Sequence, residues 1–524
     1  MPNCGDCAEI TQIERILRLD SEILRGTAQP LLKLATRQDQ SHEGGVVIDV
    51  NIVGSGPNGL AAAVVLARAG LDVRVYEAET TIGGGARTSE LTEPGFLHDW
   101  GSAVHAMAFA SPFFQQFGID KRIPFVIPEI SYGHALDGGA AGIAWRDVER
   151  TAAGLGRDGA AWLQLLKPLV ERGQNVAEFV TAPLLPLPRH PLTALSYGLR
   201  ALEQGSGLGG LRFKGEVAPA LLAGVFAHSI GRIPSLGTAA SGLMLATLAH
   251  SVGWPIPIGG SQSITDALVT DFEAHGGVIE TGHRVTSISE LPPARAILFD
   301  TSGRQLLQLA GERLTPSYRR ALGRFRSGNA ASKVDFALSG PVPWANADLR
   351  QAGTVHVGGS RREVAAGEAA VMAGRHPDSP YVLVVQPSTF DASRAPAGKH
   401  TLWTYTHVPA GSGRDMTEPI TRQIERFAPG FRDVILSSHA TAATALERDD
   451  SNFIGGDIAT GAADFRQLIA RPVLSSQPWR AAPELYLCSA ATSPGPGVHG
   501  MGGFHAARLA LRDVFGLPFP ALHP

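Results

Sequence analysis

Cysteine is nearly missing from this sequence: Cys4, Cys7 and Cys488 are the three in 524 residues. Three thiols cannot staple a chain of this length, which excludes a disulfide-built secreted scaffold and favours a reducing, cytoplasmic compartment. An excess of one charge is missing too. With 45 Lys and Arg against 48 Asp and Glu the net charge is −3, which leaves no electrostatic footprint for nucleic acid. No uninterrupted apolar run reaches the ~18 residues that a bilayer span needs. The opening "MPNCGDCAEI" has no basic segment followed by an apolar one, so it does not read as a signal peptide. Internal repeats and low-complexity tracts are absent.

What is there is a chain with 44% hydrophobic and 18% charged residues, a composition that can build a large core. Its length suits two to four domains at about 150 residues each. Glycine is in excess, with 61 residues against a usual share of about 7%. Such an excess serves tight turns and close backbone approaches, as around a large bound molecule.

Residues 1–45 read as an N-terminal extension, helical or partly disordered, with Ile10, Ile13, Ile16, Leu17, Ile23 and Leu24 at near-helical spacing until Pro30. The Cys4/Cys7 pair has no βαβ neighbourhood and no second ligand pair, so no metal site is assigned to it. Alternating α/β texture then comes in three instalments, 46–104, 251–330 and 441–524, which are assigned to one nucleotide-binding domain. The intervening 105–250 and 331–440 are assigned to a substrate-binding domain. Within the first of these, residues 158–180 have helical periodicity. Between Val217 and Trp254 the only formally charged residue is Arg232, so this stretch reads as buried helices, as the wall of an apolar chamber, or as both. The spacing of Ser263 and Asp266 predicts a capping box at a helix start.

The stretch "NIVGSGPNGLAAAVVLARAG", Asn51–Gly70, sets Gly54-x-Gly56-x-x-Gly59 between a strand and a helix. The first glycine permits a tight turn, the second lets backbone approach a pyrophosphate, and the third lets the helix pack on the strand. The helix start offers free N–H groups and the positive end of its dipole to phosphates. The next strand, within Asp72–Ala78, ends on Glu77, a carboxylate able to accept ribose hydroxyls. Together these predict a dinucleotide site that disfavours a 2′-phosphate. Gly83, Gly84, Gly85 and Arg87 come soon after and can wrap the pyrophosphate from its other side. A second glycine-rich loop, "TSPGPGVHGMGGFHAARLAL", closes the chain and opens onto a helix from about Gly503.

The segments "GSGPNGLAAAVVLARAG", "YEAETTIGGGARTSEL", "IPIGGSQSITDALV", "GGVIETGHRVTSI" and "LYLCSAATSPGPGVHGMGGFHAARLAL" resemble the phytoene desaturase-related flavoproteins. Within that superfamily they resemble the branch of pyridine nucleotide-disulfide oxidoreductase domain-containing protein 2 and its bacterial relatives. The resemblance covers roughly residues 46–516. It implies an α/β fold: a Rossmann-like, glutathione reductase-type FAD-binding domain assembled from discontinuous segments, plus an α+β substrate domain. It further implies non-covalent FAD held by Gly54, Ser55, Gly56, Pro57, Asn58, Gly59, Glu77, Ala78, Gly84, Gly85, Arg87 and Val285. The closing loop with Gly497, Val498, Gly500 and Met501 would lie beside the isoalloxazine. There the dipole of its helix would favour the anionic reduced ring.

Three departures from the resemblance stand out. Only "SELPP" separates "RVTSI" from "ARAILFD", where many relatives carry a β-meander. The closing strand runs into "SAATSP" with no carboxylate for the ribityl chain. No CxxC stands where a disulfide reductase needs one, and Cys488 reads as core. Of the histidines near the expected flavin segments (His98, His105, His499 and His505), His499 is the candidate for the active-site wall, while His505 packs or caps. None has metal-ligand spacing.

The expected activity is FAD-dependent dehydrogenation or desaturation of a lipophilic small molecule, with hydride passing to flavin N5. Oxygen, a quinone or NAD would be the electron acceptor. Amine oxidation and redox-neutral isomerisation are the rival enzyme readings. A lipid-binding, chaperone-like or structural flavoprotein on the same fold is the rival from another class. "TAPLLPLPRHPL", Thr181–Leu192, reads as a peripheral membrane contact or a buried connection.

Overall fold

Ile48–Val53 is rich in β-branched apolar residues, broken by Asp49 and Asn51, and has partners on both sides, so it forms an interior strand. The computed structural model describes residues 47–183 and 187–523; the expected N-terminal extension, Cys4 and Cys7 included, lies outside them. Ile48–Val53 pairs in parallel with Val73–Tyr76 on one side and Ala294–Phe299 on the other. The complete six-stranded order is Arg480–Ala482, Leu485–Leu487, Ala294–Phe299, Ile48–Val53, Val73–Tyr76, Val278–Glu280. Five strands are parallel and the Arg480–Ala482 edge is antiparallel. Four of the parallel strands therefore bring the residues just past their C-terminal ends to one edge of the sheet: Gly54, Glu77, Asp300 and Cys488. Ligand sites of open parallel sheets form at such an edge.

The first helix, Pro57–Arg68, carries proline in its first turn, where no N–H is missed, and Gly70 turns the chain away at φ +81°. The final helix, Met501–Ala510, packs against it and starts two residues earlier than the sequence suggests.

A second sheet has the order Ile435–Thr441, Ala330–Leu338, His400–Val408, Val382–Val385, Ala352–Val357, Ile130–Ala135, Ala141–Trp145. Its pairs are antiparallel except Ala352–Val357 with Ile130–Ala135. The low-charge stretch forms two buried helices, Val217–Ala227 and Leu236–Ser251. Residues 158–180 form two helices rather than one, Gly159–Val170 and Gly173–Thr181. Both sheets lie in one compact unit, Ile48–Pro524.

Two local expectations meet the structure differently. No strand lies between Val278–Glu280 and Ala294–Phe299; residues 281–293 join them, and "SELPP" is the last part of that link. The capping box at Ser263 and Asp266 does not form. The helix already begins at Gln262, so Ser263 lies inside it and its Oγ donates back to Gly260 O at 2.6 Å. Asp266 instead accepts from Gln262 Nε2 at 3.0 Å.

Candidate active site

The glycine turn is shaped by what cannot fit there. Gly54 sits at φ +101°, and a Cβ on it would lie 2.7 Å from Asp300 O. A Cβ on Gly59 would lie 2.3 Å from Gly54 O, so only glycine lets the helix start close down on the strand end. Glu77 anchors the turn. Its Oε2 accepts the Ser55 N–H at 2.9 Å and the Ser55 hydroxyl at 2.6 Å, and its Oε1 accepts the Glu79 N–H at 2.8 Å. The second glycine stretch folds onto the first, with Gly83 N–H donating to Ser55 O at 3.1 Å. Arg87 is held by Gly84 O at 2.7 Å, with its guanidinium 4.4 Å from the centre of the Trp100 ring.

The closing loop arrives at the same place. Gly502 N–H donates to Asn58 Oδ1 at 3.1 Å. A Cβ on Gly503 would lie 1.8 Å from Asn58 O, so the first and last helices meet backbone to backbone at their N-terminal ends. A cavity of about 1260 Å³ opens from this junction. It is lined by Gly54–Asn58, Glu77, Ala78, Gly84, Gly85, Arg87 and Val285, and then by Gly497 and Val498. Gly59, Gly500 and Met501 stand behind this lining and shape it. Gly500 has φ +65° and no room for a side chain against Phe113 and Ala61.

Beyond the loops the cavity widens into an apolar chamber walled by Leu236, Ala240, Met244, Leu245 and Trp254 from the low-charge stretch, and by Leu383, Val385, Trp403 and Tyr405 from the second sheet. One charged side chain from the sheet enters it, Lys333. Lys333 Nζ pairs with Asp335 Oδ2, two residues along the same face of the strand. Asp335 also faces His98 Nδ1 at 3.5 Å. Asp99 pairs with Arg394 and accepts the Thr88 hydroxyl and the Ser261 N–H, both at 2.8 Å. Burial pushes the Lys333 ammonium down and the Asp335 carboxyl up to about 6, and the pairing opposes both shifts.

A second acidic feature was not legible in sequence. Asp300 accepts the Gly59 N–H at 2.8 Å and lies under the glycine turn. Burial raises it to about 7; the Gly59 hydrogen bond opposes this, while Asp450 and Glu77 add to it. Asp450 is likewise raised to about 6, chiefly by burial. Arg471 also lines the cavity, its guanidinium tied to Ala490 O at 2.9 Å and Ala459 O at 2.6 Å. "KVDFAL" reads as an ordinary strand, yet a Lys-x-Asp pair inside a buried run was the available signal for Lys333.

His499, the candidate for the active-site wall, stands in it. Its Nδ1 accepts the Met501 N–H at 3.0 Å and its Nε2 lies 3.1 Å from Gly495 O. Both nitrogens are taken by backbone, and burial lowers the ring to about 4. It shapes the closing loop and starts the last helix. His505 stacks on Trp479 at 4.3 Å. His105 Nε2 bonds Ser261 Oγ at 2.8 Å, and His98 Nε2 bonds Thr92 Oγ1 at 2.8 Å. Cys488 is buried in the core beneath Gly502, and burial pushes its thiol up. Among the described residues no group of three or more His, Cys, Asp or Glu side chains is arranged to hold a metal ion.

A family model described as "NAD(P)-binding Rossmann-like domain" matches residues 52–117, the segment that holds the glycine turn, Glu77 and Arg87. Over most of its length the chain is similar to pyridine nucleotide-disulfide oxidoreductase domain-containing protein 2 of Rattus norvegicus, at 25% identity over 89% of this chain and 94% of the relative. Among solved structures, wild-type putrescine oxidase bound to putrescine aligns with a TM-score of 0.56 at 15% identity, over 90% of this chain and 99% of that one. Cyclohexylamine oxidase from Brevibacterium oxydans IH-35A aligns with a TM-score of 0.54 at 16% identity, over 90% and 99% of the two chains. At such identities the likeness is one of fold: mixed α/β, with a Rossmann-like sheet beside a second sheet. No helix among the described residues is long and apolar enough to cross a membrane.

Proposed function

We propose that this chain is an FAD-dependent oxidoreductase that dehydrogenates a lipophilic small molecule and passes its electrons to oxygen, a quinone or NAD. One observation carries the reading: both glycine loops and an apolar chamber line a single cavity. The residues fit the cofactor. The Gly54 and Gly59 positions exclude side chains from the turn, and Glu77 keeps acceptor capacity beside its bonds to Ser55. Gly54–Gly59, Gly84, Gly85 and Arg87 would hold the pyrophosphate, Glu77 and Ala78 the ribose, and Val285 the adenine. Gly497, Val498, Gly500 and Met501 would flank the ring. Bound FAD would supply a hydride acceptor at N5.

The chain's own residues do the rest. Leu236, Ala240, Met244, Leu245 and Trp254 exclude water and favour an apolar substrate by burial. Lys333, pushed down by burial, can take up at a neutral Nζ the proton that the substrate loses, and Asp335 pairs with the ammonium that forms.

A second reading, amine oxidation, is favoured by Trp403 and Tyr405. They line the chamber edge to face, with ring centres 5.3 Å apart, and such ring faces suit a cationic amine. The likeness in fold to putrescine and cyclohexylamine oxidases leans the same way. The test is a dye-coupled screen of the flavin-loaded protein with neutral lipophilic compounds and with alkylamines. Turnover of the first set supports dehydrogenation, and turnover of amines alone supports the second reading. Turnover of small, highly charged compounds only would defeat the lipophilic assignment. Saturable lipid binding with no redox turnover would favour a carrier.

A further inference from the structure

The helix Pro191–Gln204 buries Thr193, Tyr197, Ala201 and Gln204 and turns Leu192, Leu195, Leu199 and Leu202 outward. Their spacing puts all four on one stripe. Leu192 is 74% exposed, and the flanking Leu187 and Leu211 are 92% and 80% exposed. Leu208 is exposed beside them, as are Phe465 and Leu468 on a neighbouring helix. Single exposed leucines are ordinary; this density of them on one side of a chain is not.

Two further observations say what covers this face. The first is continuity with the cavity. Leu202, Phe465 and Leu468 are exposed and also line the cavity, and Tyr197, Gly198 and Ala201 line it from the same helix. The apolar stripe therefore runs, at its Leu202 end, into the mouth of the chamber. The second is charge. Arg189, near Leu187, lies close enough to Arg508 to repel its cation, as does Arg512. Arg189 and Arg508 are exposed and form no ion pair among the described residues. An apolar stripe with unneutralised arginines beside it matches the acyl boundary and headgroups of an anionic bilayer.

We propose that this face docks on an anionic membrane surface, with the Leu192/Leu195/Leu199/Leu202 stripe in the acyl boundary and the cavity mouth opening toward the lipid. A lipophilic substrate then passes from bilayer to chamber without crossing water. The docking rests on the surface alone; the route for substrate rests on the proposed function above.

The test is flotation of the full chain with phosphatidylcholine vesicles and with phosphatidylcholine–phosphatidylglycerol vesicles, comparing wild type with Leu195→Glu/Leu199→Glu and with Arg189→Ala/Arg508→Ala. Both pairs of positions are at the surface, and flavin content and melting temperature check folding. The expected result is flotation of wild type with the anionic vesicles, at least tenfold less with the leucine variant, and a loss of the anionic preference with the arginine variant. Equal flotation of wild type and the leucine variant would overturn the proposal, as would no flotation of wild type with either vesicle. So would a wild-type dimer that the leucine variant splits while neither form floats, since the stripe would then join two copies. Flotation of a protein that takes up no flavin would keep the docking and sink the oxidoreductase reading.

Discussion

Asn58 Oδ1 accepts the Gly502 N–H at 3.1 Å, joining residues 444 positions apart. That bond, with the bare backbone of Gly503 against Asn58 O, brings the two glycine-rich loops to one cavity. Replacing Asn58 with Leu strips a buried N–H of its acceptor, and the expected cost is about 1–3 kcal/mol. Gly503→Ala places a methyl where backbone stands and should cost at least as much. Thermal melting of the two variants reads both effects, and a Gly503→Ala protein as stable as wild type would deny the close contact.

Glu77 takes three protein donors with its two oxygens. In Glu77→Ala the turn loses this anchor and the proposed ribose its acceptor. FAD affinity, tracked by flavin fluorescence on adding apoprotein, should fall about ten- to a hundredfold, the worth of one charged hydrogen bond. NADP should not replace FAD in the wild type.

Asp300 predicts a pH dependence. Its folded value of about 7 stands above the ordinary 3.8 of the unfolded chain. Between these values the native state holds a proton that the unfolded state has released. Native stability from this group therefore falls as pH rises from about 4 to 7, then levels off. Asp300→Asn keeps an acceptor for Gly59 and removes the titration. The variant should gain stability relative to wild type as pH rises, by about 4 kcal/mol between pH 4 and pH 8, since each tenfold change in proton affinity is worth about 1.4 kcal/mol and the shift spans about three of them. Urea melts at low and high pH check this, and a difference that shrinks with rising pH would reverse the sign.

Much of the cradle was legible because its cause is local. Gly54, Gly56 and Gly59 are spaced for one turn, and Glu77 ends the next strand. The rest depends on contacts between distant segments. Nothing near Lys333 in sequence shows that Asp99, Arg394 and His98 gather around it and Asp335. Asp300 looks like the end of a strand until the fold sets it under Gly59. His499 looked available because sequence cannot show that Gly495 and Met501 take both its nitrogens. Ser263 failed as a cap because the helix begins before it.

The Lys333–Asp335 pair is buried, so removing one partner should cost more than removing both. Lys333→Met leaves an unpaired carboxylate and should destabilise by about 3–5 kcal/mol, and the double variant with Asp335→Leu should recover most of that. If Lys333 also takes up the substrate's proton, the double variant would fold and bind flavin while turnover falls by about two to four powers of ten. Denaturant melts and steady-state rates separate the two roles.

Everything proposed for the cavity depends on both glycine loops holding one FAD. The visible spectrum of the purified chain, before and after heat releases the chromophore, tests this directly. An oxidised-flavin spectrum is expected, with free FAD in equal amount to protein. A colourless chain that takes up no added FAD would contradict it.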